Sequence, residues 1–169
     1  LNEYRQAFRN GFLTLDTSYT QGYKNTSTTK TAGSRNHIFA DLNLNFNENE
    51  DYESNLSVKL QRTSNNTYFR VHDINTALVK SENTTLENEI LYNFNKEDMY
   101  LSINTSVYQD LRKKEKSDSY EYILPNIMYG KTFFTEKFGS LDFESNAFYN
   151  NFDTNKHKTF FTNDVTWNP

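Results

Sequence analysis

The chain has 169 residues, no cysteine and a net charge of −4, which excludes a disulfide framework or a thiolate metal site and argues against a nucleic-acid partner. Hydrophobic residues are only 35% and mean hydropathy is −0.89, yet 12 tyrosines and 14 phenylalanines bring the aromatic share to 16%. Disordered chains are poor in aromatics. Strands that show an apolar face to one medium and a polar face to another reconcile the two observations.

In chain order, Leu13, Leu15, Thr17 and Tyr19 share one parity, with Thr14, Asp16 and Ser18 on the other. Ile38, Ala40, Leu42, Leu44 and Phe46 alternate with His37, Phe39, Asp41, Asn43 and Asn45. Leu56, Val58 and Leu60 alternate with Asn55, Ser57, Lys59 and Gln61. Leu86, Ile90, Tyr92 and Phe94 oppose Glu87, Glu89 and Asn93, and Met99, Leu101, Ile103, Thr105 and Val107 oppose Tyr100, Ser102, Asn104 and Ser106. From Tyr120 to Phe133 the pattern is mixed, and Pro125, which cannot donate to a ladder, predicts a bulge or an open pair. Leu141, Phe143, Ala147 and Tyr149 oppose Asp142, Glu144 and Asn146, and Phe161, Val165 and Trp167 oppose Thr162, Asp164 and Thr166. A period of two is the signature of a half-exposed strand. The expected fold is all-β, an antiparallel up-and-down meander of about eight strands, each of the ~10 residues a tilted strand needs to cross a bilayer.

The connections alternate in length. Residues 21–36, 63–83, 112–119 and 151–158 form the longer set, and 47–51, 95–98 and 135–139 the shorter. Outer-membrane barrels sort their connections in this way, with short periplasmic turns and long external loops. Aromatics such as Tyr19, Phe46, Tyr52, Phe94, Phe133, Tyr149 and Trp167 fall near strand ends, as in an interfacial girdle. No apolar run reaches the ~18 residues of a transmembrane helix. The start at Leu1 and the end at Pro169 read as cuts, so residues 1–169 are expected to be one segment of a larger barrel. Asp41, Asn43, Asn45, Ser57, Lys59, Asn104, Asp142 and Glu144 are expected to face a wet lumen. Two other readings remain open at this point. One is a porin or nutrient receptor. The other is a soluble β-sandwich for carbohydrate binding or adhesion, whose loops would show no consistent parity.

No catalytic, cofactor or metal site is expected. His37, His72 and His157 lack ligand spacing. Glu48, Glu50, Asp51 and Glu53 crowd a short turn without the glycine of a calcium loop, so they read as solvated. The Glu87/Glu89 and Asp142/Glu144 pairs repeat at a spacing of two, which is polar lining rather than an acid–base pair. Arg112, Lys113, Lys114 and Lys116 form a basic loop. Its plain reading is a charged loop, and its functional reading is contact with lipid phosphates.

Several stretches, in order, carry a family resemblance. Ser64, Asn65, Thr67, Tyr68 and Arg70 after the strand ending near Gln61 resemble the serine-aspartate-x-threonine-tyrosine-leucine-arginine segment of the lipopolysaccharide-assembly barrel family (LptD, also OstA). Tyr108, Gln109 and Leu111 are similar to its aromatic-glutamine-x-leucine strand end, and Leu124, Pro125, Ile127 and Tyr129 to its leucine-proline-x-isoleucine-x-tyrosine strand. Gly139 to Trp167 resembles its glycine-to-tryptophan hairpin. Asn65 stands where aspartate is frequent, His72 where an aromatic is usual, and Asp153 and Thr154 where arginine and glycine are common. The resemblance implies a non-enzymatic barrel of the Gram-negative outer membrane that places lipopolysaccharide in the outer leaflet without a cofactor. Its implied partners are lipopolysaccharide, outer-membrane lipids, a plug lipoprotein and periplasmic transport proteins.

Overall fold

The computed structural model describes residues 1–25, 30–46, 51–112, 120–152 and 156–169. Among these described residues nine strands follow one another: β1 (Asn2–Phe8), β2 (Gly11–Asn25), β3 (Lys30–Asn45), β4 (Tyr52–Thr63), β5 (Thr85–Lys96), β6 (Met99–Asp110), β7 (Tyr120–Thr135), β8 (Gly139–Asn151) and β9 (His157–Asn168). They form a single sheet in sequence order, every neighbouring pair antiparallel. A short helix, α1 (Tyr68–His72), lies in the connection between β4 and β5. A sandwich would need a second sheet, and the described residues form only one.

The meander has one strand more than the alternation predicts. In β1, Gln6 interrupts the apolar parity of Tyr4 and Phe8, so the segment carries little periodic signal. Its strand conformation comes from pairing with β2, from Asn2↔Thr17 to Phe8↔Gly11. The expected long connection 21–36 is also mostly strand, since the β2–β3 ladder runs on to Asn25↔Lys30. β1 reaches only Thr17 and β4 only His37. Beyond those rungs the hairpin has no flanking strand and needs no apolar face, which is why its sequence reads as a loop.

One end of the sheet carries the β1–β2, β3–β4, β5–β6 and β7–β8 junctions, and the other the β2–β3, β4–β5, β6–β7 and β8–β9 junctions. By length the expected sorting holds only in part: the two longest connections, 64–84 and 111–119, share one end of the sheet, while 46–51 at the other end is longer than 152–156. Gly139 closes one short turn at φ +80°, a left-handed backbone that glycine adopts without strain. β7 carries one extra residue against both neighbours, between Ile123 and Asn126. This is a bulge at Leu124 and Pro125, where the expected break in the ladder falls.

The registers assign the paired strand residues with described side chains to two faces. Leu13, Leu15, Ile38, Leu42, Leu44, Leu56, Val58, Leu60, Ile90, Leu101, Ile103, Val107, Leu141, Phe143, Phe161 and Val165 share one face. Many of these are exposed, Phe161 at 65% and Val165 at 62%. The apolar stripe is interrupted at the directly paired Ser145 and Asn163. The sheet has almost no conventional interior. Among the described residues one apolar cluster is buried, Phe39, Tyr68, Val79, Leu86 and Leu111 with Ile74 and Leu78 against it, and connection 64–84 completes it.

Candidate functional site

All eight residues expected to be polar lining fall on the face opposite the apolar stripe. There Asp41, Asn43, Lys59, Asn104 and Asp142 take part in a lattice of short polar contacts. Asn43 Nδ2 donates to Asp41 Oδ1 at 2.6 Å, and Lys59 Nζ, across the rung from Asp41, pairs with Glu87 Oε2 at 3.0 Å. Asn104 Nδ2 donates to Glu89 Oε1 at 3.1 Å, and Asn104 Oδ1 accepts from Ser106 Oγ at 2.9 Å. Asn93 links Asn55 and Ser102 across three strands. Asp142 accepts from Thr132 Oγ1 at 2.7 Å and from Asn168 Nδ2 at 2.9 Å. These contacts tie neighbouring strands together and leave the face hydrophilic. Ser106, on this face, is nevertheless buried at 1% exposure.

Connection 64–84 folds over the long-loop end of that polar face. Ser64 begins it by extending the β3–β4 ladder: its N–H donates to Asn36 O at 2.9 Å and its Oγ accepts from Asn36 N at 3.0 Å. Asn65 Oδ1 then accepts from Thr67 N at 2.8 Å and from Thr67 Oγ1 at 2.7 Å, which caps the turn into α1. An aspartate would supply the same acceptor, so this departure from the family pattern preserves the contact. Asp73, at φ 44°, ends the helix in the left-handed conformation that aspartate tolerates. Thr76 Oγ1 accepts from Leu78 N and Val79 N and so folds the chain back, placing Val79 in the cluster.

The anchor is Tyr68, 3% exposed. Its hydroxyl is hydrogen-bonded to the Ser18 hydroxyl, and Ser18 Oγ lies 3.0 Å from His37 Nδ1. His37 stacks on Phe39 at 4.4 Å, and Tyr68 lies between His37 and His72, with ring centroids 5.6 and 5.2 Å away. Two histidines that look scattered in sequence thus flank one tyrosine. Asp16 Oδ2 and His37 Nε2 are buried without a hydrogen-bond partner among the described residues. A nucleophilic triad requires a carboxylate that orients the histidine through a hydrogen bond. Among the described residues no such bond joins Asp16 to His37, and His37 reaches Tyr68 through Ser18.

The β4–β5 ladder stops at Lys59↔Glu89, and two side-chain amides span the wider gap beyond it. Gln61 Oε1 accepts from Glu87 N at 2.9 Å, and Asn88 Oδ1 accepts from Gln61 N at 2.8 Å. On the far side, Gln109 Nε2 donates to Asn66 Oδ1 at 3.4 Å, and Leu111 N to Thr84 O at 2.8 Å.

Most of the positions that carry the family resemblance gather in two places. Ser64, Thr67, Tyr68 and Gln109 meet around connection 64–84; Arg70 lies in α1, and its side chain is outside the described residues. At the short-turn end, Trp167 Nε1 donates to Phe138 O at 2.6 Å beside Gly139. Pro125 lies in the bulge, and Tyr129 packs against Phe143 on the apolar face at 6.1 Å. Of the basic loop, Arg112 is described. Asp110 holds it in a two-pronged pair at 3.0 and 2.9 Å and raises its pKa above the usual guanidinium value, while 113–116 lie outside the described residues. Of the acidic turn, Asp51 and Glu53 are exposed, while Glu48 and Glu50 lie outside. Asp153 and Thr154 lie outside as well.

The family model of LptD, described as LPS transport system D, matches residues 33–168. The chain belongs to the LptD family. No curated protein and no solved structure matches it. Membership of LptD fixes the role at the level of lipopolysaccharide transport and separates the chain from porins and nutrient receptors, which share its alternation.

Proposed function

We propose that the chain is a wall segment of a larger LptD barrel in the Gram-negative outer membrane, through which lipopolysaccharide passes to the outer leaflet. On this reading the apolar face meets acyl chains and the opposite face lines an aqueous lumen. The short turns lie on the periplasmic side and connection 64–84 lies outside. The observation that carries the reading is the sorting of side chains by face along one continuous antiparallel meander, with the long connection 64–84 at one end and the two-residue turns 9–10 and 97–98 at the other. Edge strands β1 and β9 do not pair with each other. Hydrocarbon leaves no backbone group unpaired, so further strands must take up both edges.

The role of the wall is passive. Asp41, Asn43, Asn45, Ser57, Lys59, Asn104, Asp142 and Glu144 keep the lumen wet for the sugar part of lipopolysaccharide, and no bond is made or broken. The plug lipoprotein and the periplasmic transport proteins of the family are the partners this reading requires. Cysteines at Ile103 and Asn104, neighbours on opposite faces, test it in the lipid-embedded protein. Asn104→Cys is expected to react with a charged, membrane-impermeant maleimide, and Ile103→Cys only with a lipid-soluble one. The reverse pattern, or equal labelling, would overturn the assignment.

A further inference from the structure

Near the long-loop end of β8 and β9, the polar face carries groups that the hydrogen-bonded lattice does not use. Phe148 and Phe160 are directly paired across the two strands, and their rings stack at 5.0 Å and 19°. Lys158 Nζ lies over Phe148, 5.5 Å from its centroid. Asn146 and Asn150 flank Phe148 along β8, and Asn126 is its partner on β7. The Oδ1 atoms of these three asparagines are all buried and accept no hydrogen bond among the described residues. Most other amides of the polar face are paired, so three idle acceptors around one ring mark this patch as different in kind.

We propose that the Phe148–Phe160 pair, framed by Asn126, Asn146 and Asn150 and crossed by Lys158, is a binding platform for the phosphorylated sugar portion of lipopolysaccharide. The inference rests on the polar face being the lumen wall. Each component matches one feature of such a ligand. The faces of aromatic rings are electron-rich and attract the C–H edges of a pyranose. Phe160, 37% exposed, presents the open part of the pair. Sugar hydroxyls supply the donors that the asparagine oxygens lack. An acceptor kept from water without a donor is unfavourable, and the broad Asn χ2 torsion lets each oxygen turn toward an incoming hydroxyl at low cost. Lys158 provides a charge-assisted bond to a phosphate. The carboxylates of this face stand off from it: Glu144 and Asp164 occupy the second polar-face rung toward the short turns, and Glu121 lies just past the Ile123↔Asn150 rung at the other end. Placed near the long-loop mouth, the platform would hold the head group late in its passage.

The test uses the full protein in lipid, titrated with deacylated, acid-released core oligosaccharide of lipopolysaccharide, with the same oligosaccharide after dephosphorylation, and with inorganic phosphate. Phe160→Ala, on the exposed side of the pair, is expected to weaken both oligosaccharides by roughly three- to tenfold. Lys158→Gln should weaken the phosphorylated form alone. Absence of oligosaccharide binding, indifference to Phe160→Ala, or full competition by inorganic phosphate would each overturn the platform. Thr162→Cys, on the neighbouring polar-face rung, separates the two layers of the argument through labelling by an impermeant maleimide. If it labels while Phe160→Ala changes nothing, the platform falls and the lumen reading stands. If it does not label, both fall. Heat-modifiable migration on gels confirms that each variant has folded.

Discussion

The ring of Tyr100 lies across Gly130, its direct partner on β7, so closely that a Cβ added at Gly130 would overlap the ring carbon Cε1. The missing side chain of one residue is the seat of the other, and Gly130 is buried by that ring. Glycine weakens a strand interior unless a neighbour uses the space, as here. Gly130→Ala is therefore expected to cost about 1–3 kcal/mol through overpacking. In a Tyr100→Ala background the same change should cost much less. Urea unfolding of the four proteins in detergent measures the coupling, and additive effects would show that the ring does not depend on the gap.

Opposite faces should respond differently to one charge. Ile103 lies mid-strand on the apolar face of β6 and Asn104 on the polar face. Ile103→Arg is expected to destabilise the lipid-embedded barrel by roughly 2–4 kcal/mol, the midplane penalty for arginine. Asn104→Arg stands beside Glu89, which Asn104 already contacts at 3.1 Å, and should stay within about 0.5 kcal/mol. Folding free energies in lipid check both. Ser106 is the wrong polar-face position for this comparison, because it is buried and an arginine there would be rejected for lack of space.

Much of this architecture was legible because a period of two survives in strands whose faces meet different media. The runs through Leu42, Val58, Ile103 and Phe143 reveal both strand and face, and Pro125 marks its own bulge through a missing N–H. What was not legible depends on partners in space. β1 is a strand because β2 pairs with it, and the 21–36 ladder exists without any apolar pattern to announce it. Phe39 sits on the polar parity, and only the fold of connection 64–84 explains its complete burial. His37 and His72 meet through Tyr68, a contact that spacing along the chain cannot encode. The platform at Phe148 likewise draws on three strands. Its signal in sequence, aromatics at Phe148 and Phe160 on the otherwise polar parity, becomes visible only once the register is known.

Asn65 illustrates a departure from a family pattern that leaves the chemistry intact. Both bonds that it accepts from Thr67 need only a side-chain oxygen. Asn65→Asp is expected to leave the stability of connection 64–84 unchanged, whereas Asn65→Ala should cost about 0.5–2 kcal/mol. Hydrogen exchange at the Thr67 amide reports the difference directly. Equal protection in the two variants would mean that the backbone bond from Tyr68 N to Asn65 O at 3.1 Å holds the turn unaided.

Tyr68 joins connection 64–84 to the polar face in two ways, and its substitutions separate them. Tyr68→Phe keeps the ring among Phe39, Val79, Leu86 and Leu111 but removes the hydroxyl contact to Ser18. The expected cost is about 1 kcal/mol, the usual net value of one hydrogen bond. Tyr68→Ala also empties the centre of the cluster, and truncation of a buried aromatic ring costs roughly 3–5 kcal/mol. That loss falls on a loop, while the strands are held by their ladders. The expected result is release of residues 64–84 from the sheet with the barrel still folded. Limited proteolysis of the lipid-embedded protein should then cut Tyr68→Ala within 64–84 and spare Tyr68→Phe, while both keep the heat-modifiable migration of a folded barrel. Loss of that migration in Tyr68→Ala would instead show that the cluster supports the sheet itself, and that the loop and the β4–β5 edge beneath it unfold as one unit.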